Sequence, residues 1–94
     1  MTWRERIAEA RERGAFTQAD RDLWSQHSQC FVGEMRARFG LHFNLEMTKV
    51  DTYCECGPLQ KQIQRALRGN DFDAAERLLD EVEDRALQLK REAQ

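Results

Sequence analysis

Apolar side chains recur in the carboxy-terminal part of the chain at alternating spacings of three and four residues, from Phe72 to Ala93. This pattern predicts one long helix with a narrow apolar seam. Such a helix is stabilised mainly by packing its seam against another helix, either in the same bundle or on a second chain. Six residues of this seam are candidates for an interface: Phe72, Ala75, Leu79, Val82, Ala86 and Leu89.

Two further helices are predicted before residue 40. Thr2 and Glu5 have the spacing of a capping box, and Gly14 suits the left-handed end of a short first helix. The next helix is expected to run from Thr17 to about Phe39, with Gly40 as its end. Four of its residues would share one face: Leu23, His27, Phe31 and Met35.

Residues 41–57 fit two patterns. Alternation of apolar and polar residues from Leu41 to Met47 favours extended structure, such as a short β-hairpin. The apolar spacing of Phe43, Met47, Val50 and Cys54 fits a helix nearly as well. The extended alternative is preferred, and the helical one stays open.

Pro58 is suited to the first position of a helix that would end near Arg68, and residues 69–71 form a tight connection to the last helix. The pattern of Gly69, Phe72, Ala75, Leu78 and Leu79 resembles one unit of a tetratricopeptide-like helical repeat. The resemblance covers only about 20 residues and has no second copy, so no repeat function is inferred from it. The prediction is a single all-α domain over residues 1–94, a small bundle of four helices with a short β-hairpin or extended loop between the second and third.

Composition and charge narrow the class of protein. Charged residues make up 34% of the 94 residues, but 17 acidic and 15 basic side chains leave a net charge of only −2. No overall field therefore favours nucleic acid or a membrane surface as the partner. Charged residues interrupt each apolar run near the amino terminus, which argues against a signal peptide or membrane span there and makes the cytoplasm the expected location.

The three cysteines suggest a candidate metal site. On a continuous helix His27 and Cys30 would project to one side, and Cys54 and Cys56 could complete a tetrahedral zinc site. Two alternatives remain: Cys30 as a small buried apolar residue beside a hydrogen-bonded His27, and Cys54 with Cys56 as a redox pair. The first alternative is preferred, zinc is second, and the redox pair is third because Glu55 opposes thiolate formation.

Lys61, Arg65 and Arg68 form a basic stripe in a segment without acidic residues between Pro58 and Gly69. The stripe could contact phosphates or an acidic protein surface. Pairing with the acidic early turns of the last helix is the preferred interpretation. Nucleic acid is not favoured, because neither stacking aromatic residues nor a helix-turn-helix pattern accompanies the stripe.

No catalytic signature is found. The five glycines are scattered singly and form no phosphate-binding loop, and no nucleophile triad or carboxylate-bridged metal pattern is present. An enzyme is therefore not expected. The functional hypothesis is a small cytoplasmic protein-interaction or adaptor module that self-associates as a homodimer, and the alternative is a regulatory domain stabilised by zinc.

Overall fold

The computed structural model describes residues 1–40 and 57–92, and every regular element within them is a helix. The helices are α1 (Trp3–Arg13), α2 (Gln18–Ser25), α3 (Phe31–Phe39), α4 (Pro58–Arg68) and α5 (Phe72–Glu92). The all-α prediction is confirmed for this part of the chain, while the predicted hairpin or extended loop falls on residues 41–56, outside it. None of these five helices has the length and apolar character needed to cross a membrane.

The predicted start and end of α1 and the predicted start of α2 are confirmed. Thr2 Oγ1 accepts the Glu5 N–H at 3.1 Å while Glu5 Oε1 accepts the Thr2 N–H at 3.0 Å, so the capping box is complete. Thr17 and Asp20 form a second capping box at the start of α2. Gly14 follows α1 with φ +80°, a left-handed conformation that glycine adopts at little cost.

The predicted continuous helix from Thr17 to Phe39 is wrong, because residues 26–30 separate α2 from α3. The described residues therefore form five helices and not the predicted four. The break lets the rings of Trp24 and Phe31 stack, with centroids 4.7 Å apart and planes 2° from parallel. On a continuous helix these two residues would be separated by about 10 Å along the axis. The indole Nε1–H of Trp3 also donates to the Gln29 carbonyl at 2.8 Å, which satisfies a carbonyl released from the helical pattern.

The core lies where α4 packs along α5, with α1 and α3 against the same long helix. The amino-terminal half contributes five buried aromatic residues to this core: Trp3, Phe16, Trp24, Phe31 and Phe39. The inner face of α4 consists of Gln60, Ile63 and Leu67, all fully buried, and Leu59 is only partly buried beside them. A polar residue therefore occupies a position where periodicity alone would place an apolar one.

The turn between α4 and α5 has the hydrogen bonds of a Schellman motif. Asn70 has φ +57°, its N–H donates to Leu67 O at 3.0 Å, and the Asp71 N–H donates to Ala66 O at 2.8 Å. Asparagine is the residue other than glycine that most readily adopts this left-handed conformation. Asp71 Oδ1 then accepts the Ala74 N–H at 3.2 Å, so the residue after the turn already caps α5.

Asn70 also connects this turn to the amino-terminal half of the chain. Its Oδ1 accepts the backbone N–H of Phe16 at 2.9 Å, a partly buried hydrogen bond between residues far apart in sequence. The α1–α2 connection is thereby held against the carboxyl end of α4. One side chain thus fixes both a local turn and the contact between two parts of the fold.

Candidate functional site

The most distinctive surface of the described residues is the outer side of α4, formed by Lys61, Arg65 and Arg68 and called here the basic face. All three residues are exposed. At about 100° per residue, they lie roughly 140° to 200° around the helix axis from the buried Ile63. The residues that anchor α4 in the core therefore direct these three cations away from it.

The basic face does not pair with the acidic residues of α5, which corrects the preferred interpretation of the sequence. Arg4 of α1 binds Asp80 at 2.7 Å and Glu83 at 3.1 Å. Arg11 binds Asp73 and Glu76, and Arg38 of α3 shares Glu83.

The cause of this difference is the position of each acidic residue around the α5 axis. The paired carboxylates lie on the flank of α5 that meets α1 and α3. Within residues 1–40 and 57–92, no ion pair or hydrogen bond engages the side chains of Lys61, Arg65 or Arg68. Three positive charges on one helix therefore remain without an intramolecular partner in this part of the structure.

A cleft of about 430 Å³ adjoins the basic face, and it is called here the polar cleft. Arg68 belongs to both surfaces. The described residues that line the cleft are Phe16, Gln18, Arg21, Asp22, Trp24, Ser25, Gln26, Gln64 and Arg68. Its volume falls within the range typical of ligand pockets, about 300 to 1,000 Å³.

The polar cleft carries more positive than negative charge. Two arginines, Arg21 and Arg68, and one carboxylate, that of Asp22, line the cleft. The Asp22 carboxylate already accepts a hydrogen bond from Gln18 Nε2 at 2.9 Å. Arg21 is half-buried, and its Nε lies out of contact with solvent without a hydrogen-bond partner among the described residues. A partly desolvated guanidinium that lacks an anion favours the binding of one.

Aromatic packing gives the polar cleft a firm wall. Trp24 is 3% exposed, stacks on Phe31 and meets Trp3 edge to face at 5.0 Å between ring centroids. Phe16, on the same wall, is held by the hydrogen bond of its N–H to Asn70. The wall therefore has little freedom to collapse into the cleft.

Two members of the predicted zinc site lie in the connection between α2 and α3 and not on a helix. Cys30 is the N-cap of α3, where its Sγ accepts the Gly33 N–H at 3.3 Å, and it is 3% exposed. His27 is exposed, and both residues line a second cleft of about 280 Å³. The expectation of a shared helix face was wrong, although the two residues do approach one cleft.

The rest of the zinc prediction is not tested, because Cys54 and Cys56 lie outside the described residues. Among residues 1–40 and 57–92, no group of three or more His, Cys, Asp or Glu side chains is arranged to hold a metal ion. The four-residue zinc site therefore stays a prediction, as does the redox pair.

The seam of α5 is buried within a single chain. All six of its candidate interface residues are at most 9% exposed: Phe72, Ala75, Leu79, Val82, Ala86 and Leu89. They contribute to the same core as the buried residues of α1, α3 and α4. The seam is thus occupied by the chain's own helices, and the homodimer stays a prediction that would need another surface.

The ion pairs and caps also change the ionisation of their members. The hydrogen bond that Arg4 donates to Asp80 raises the pKa of Arg4, and the hydrogen bond that Arg11 donates to Asp73 raises the pKa of Arg11. The Thr2 backbone N–H lowers the pKa of Glu5 below its ordinary value of 4.5. These groups stabilise the fold in their charged forms, and they lie apart from the basic face.

Sequence reasoning identified the basic face but missed the polar cleft. Arg21 of α2 and Gln64 of α4 are far apart in sequence, and only the fold places both at one cleft. The one local signal was the absence of an acidic residue four positions after Arg21, at Ser25, which leaves the arginine without a helical partner. Comparison of the chain with protein-family models, with characterised proteins and with solved structures gave no match.

Proposed function

We propose that this chain is a small cytoplasmic interaction module that binds an acidic segment of a partner protein through its basic face. The observation that carries the proposal is that the three cations of α4 have no ion-pair partner among the described residues. A chain with a net charge of −2 keeps three cations together on the exposed side of α4, while four acidic residues of α5 pair with α1 and α3. An acidic partner is the complement of that surface.

The dimensions of the basic face suit a short acidic segment. Lys61 and Arg68 are separated by about 10 Å along the helix axis, which three to four extended residues span. Exposed ion pairs contribute about 0.5 kcal/mol each, so three contacts amount to roughly tenfold in affinity. The binding is therefore expected to be weak, fast and sensitive to salt.

A protein partner is favoured over nucleic acid by the residues around the three cations. The exposed positions of α4 between them are polar and carry no aromatic ring on which a base could stack. The net negative charge of the chain also opposes approach to a polyanion of high charge density. Nucleic acid binding is accordingly an outcome that would contradict the proposal.

The test measures binding of a fluorescein-labelled hexaglutamate peptide by fluorescence anisotropy. Measurements at about 0.01 M and about 0.15 M salt compare screening lengths of about 30 Å and 8 Å. The variant carries Lys61→Gln, Arg65→Gln and Arg68→Gln. A matched control carries Arg77→Gln, Arg85→Gln and Arg91→Gln, which removes the same charge from exposed positions of α5.

We expect the α4 variant to bind the peptide about tenfold more weakly than the wild type and the α5 variant to bind within about twofold of it. Equal losses in both variants would mean that total charge, and not the basic face, governs binding. No binding by the wild type at low salt would contradict the proposal. Tighter binding of a labelled oligothymidylate of similar charge would replace the protein partner by nucleic acid.

A further inference from the structure

We propose that the polar cleft anchors one carboxylate side chain of the acidic segment, held by Arg21 and Arg68. This inference rests on the proposed function and assigns the cleft a role in it. Arg68 connects the two surfaces, because it is the carboxy-terminal cation of the basic face and also lines the cleft. A segment that follows α4 towards its carboxyl end therefore arrives at the mouth of the cleft.

The charges inside the cleft favour an anion. Arg21 and Arg68 outnumber the single carboxylate of Asp22, and within the described residues neither arginine forms an ion pair. By contrast, Arg4, Arg11, Arg13 and Arg38 all do. The two arginines at the cleft thus retain donors for an external acceptor.

The half-buried position of Arg21 makes its charge more effective than an exposed one. Its Nε is shielded from water and lacks a hydrogen-bond partner in the described part of the chain, so the guanidinium is already partly desolvated. A carboxylate that enters beside it gains a stronger interaction than it would at the open basic face. Arg21 is therefore expected to contribute more to affinity than any single residue of the basic face.

Neutral donors complete the recognition of a carboxylate. The amide of Gln64 and the hydroxyl of Ser25 line the same cleft and can donate to oxygen. The aromatic wall of Phe16 and Trp24 offers the methylene groups of a glutamate side chain an apolar surface. The cleft therefore combines donors for the carboxylate with a surface for its aliphatic stem.

The experiment uses the labelled hexaglutamate peptide with two variants that change the cleft in opposite senses. Arg21→Gln removes a positive charge that is not part of the basic face. Asp22→Asn removes the opposing carboxylate and keeps an oxygen that can accept the hydrogen bond from Gln18. Arg77→Gln is the matched control for loss of one arginine, and the midpoint of thermal unfolding checks that each variant folds.

We expect Arg21→Gln to weaken binding about tenfold and Asp22→Asn to strengthen it about twofold, with no change for Arg77→Gln. If the basic-face variant loses binding while Arg21→Gln and Asp22→Asn leave it unchanged, the cleft is no anchor and the proposed function still stands. If the wild type binds no peptide, the proposed function itself fails. Should Arg21→Gln not fold, an unchanged affinity in Asp22→Asn is sufficient to overturn the inference.

Discussion

Asn70 offers the sharpest test of how this fold is held together, because it has two separable tasks. It adopts a left-handed conformation in the turn between α4 and α5, and its side chain accepts the N–H of Phe16 at 2.9 Å. Replacement by glycine keeps the conformation and removes the acceptor. Replacement by aspartate keeps both, and replacement by alanine removes both.

The expected losses follow from the two tasks. A partly buried N–H left without an acceptor costs about 1 kcal/mol or somewhat more, which is the expected effect of Asn70→Gly. A side chain with a Cβ forced into the left-handed region costs roughly another 1 to 2 kcal/mol, so Asn70→Ala should lose about 2 to 3 kcal/mol. Asn70→Asp should stay within about 0.5 kcal/mol of the wild type.

Thermal unfolding followed by circular dichroism measures these differences. For a domain of this size, 1 kcal/mol corresponds to a shift of about 4 to 8 °C in the melting temperature. The predicted order of stability is Asn70, then Asp, then Gly, then Ala. If Asn70→Gly has the melting temperature of the wild type, the hydrogen bond to Phe16 contributes nothing to stability. If Asn70→Ala is as stable as Asn70→Gly, the left-handed conformation imposes no strain on alanine.

Three further predictions concern a cap, a buried amide and a cysteine. Glu5 has a lowered pKa in the folded chain, so its stabilising charge is present above pH 4.5 and is lost as the pH falls below that value. The melting temperature of the wild type should therefore fall more steeply in acid than that of the Glu5→Gln variant. Parallel dependences of the two melting temperatures on pH would contradict this prediction. Gln60 is fully buried, and neither polar atom of its amide has a hydrogen-bond partner among the described residues. The Gln60→Met variant should therefore be more stable by about 1 to 2 kcal/mol, while Gln62→Met at an exposed position should change stability little. A loss of stability in Gln60→Met would reveal a hydrogen-bond partner for the amide. Serine is a preferred N-cap residue, so the melting temperature of Cys30→Ser should stay within a few degrees of the wild type. A chelator should not lower the melting temperature of the wild type. If chelation does lower it, and Cys30→Ser abolishes that effect, the zinc site is supported instead.

Local chemistry predicted most helix ends correctly. Thr2, Gly14, Thr17 and Pro58 act on their own neighbours within a few residues, and the structure uses each of them as the sequence indicated. The seam of α5 was likewise evident from spacing alone. The spacing of apolar residues does not say which surface covers the seam. Its burial by the chain's own helices therefore became evident only from the folded structure.

The errors arose where distant residues decide the outcome. The stacking of Trp24 on Phe31 and the bond from Trp3 to Gln29 favour a break in the predicted second helix, and no local breaker residue marks that position. The prediction that the basic face pairs with the acidic residues of α5 was wrong for the same reason. Which flank of α5 meets α1 is a property of packing, and the sequence pattern of α5 alone is compatible with either flank.

The arginines of α1 have a consequence for recognition between copies of the chain. Arg4 and Arg11 occupy the carboxylates of α5 that would otherwise be the nearest complement to the basic face of a second molecule. A hairpin of α4 and α5 without α1 would carry both an unpaired basic surface and an unpaired acidic surface, and it would attract itself. In the intact chain α1 neutralises part of the acidic surface of α5, which reduces this attraction between copies.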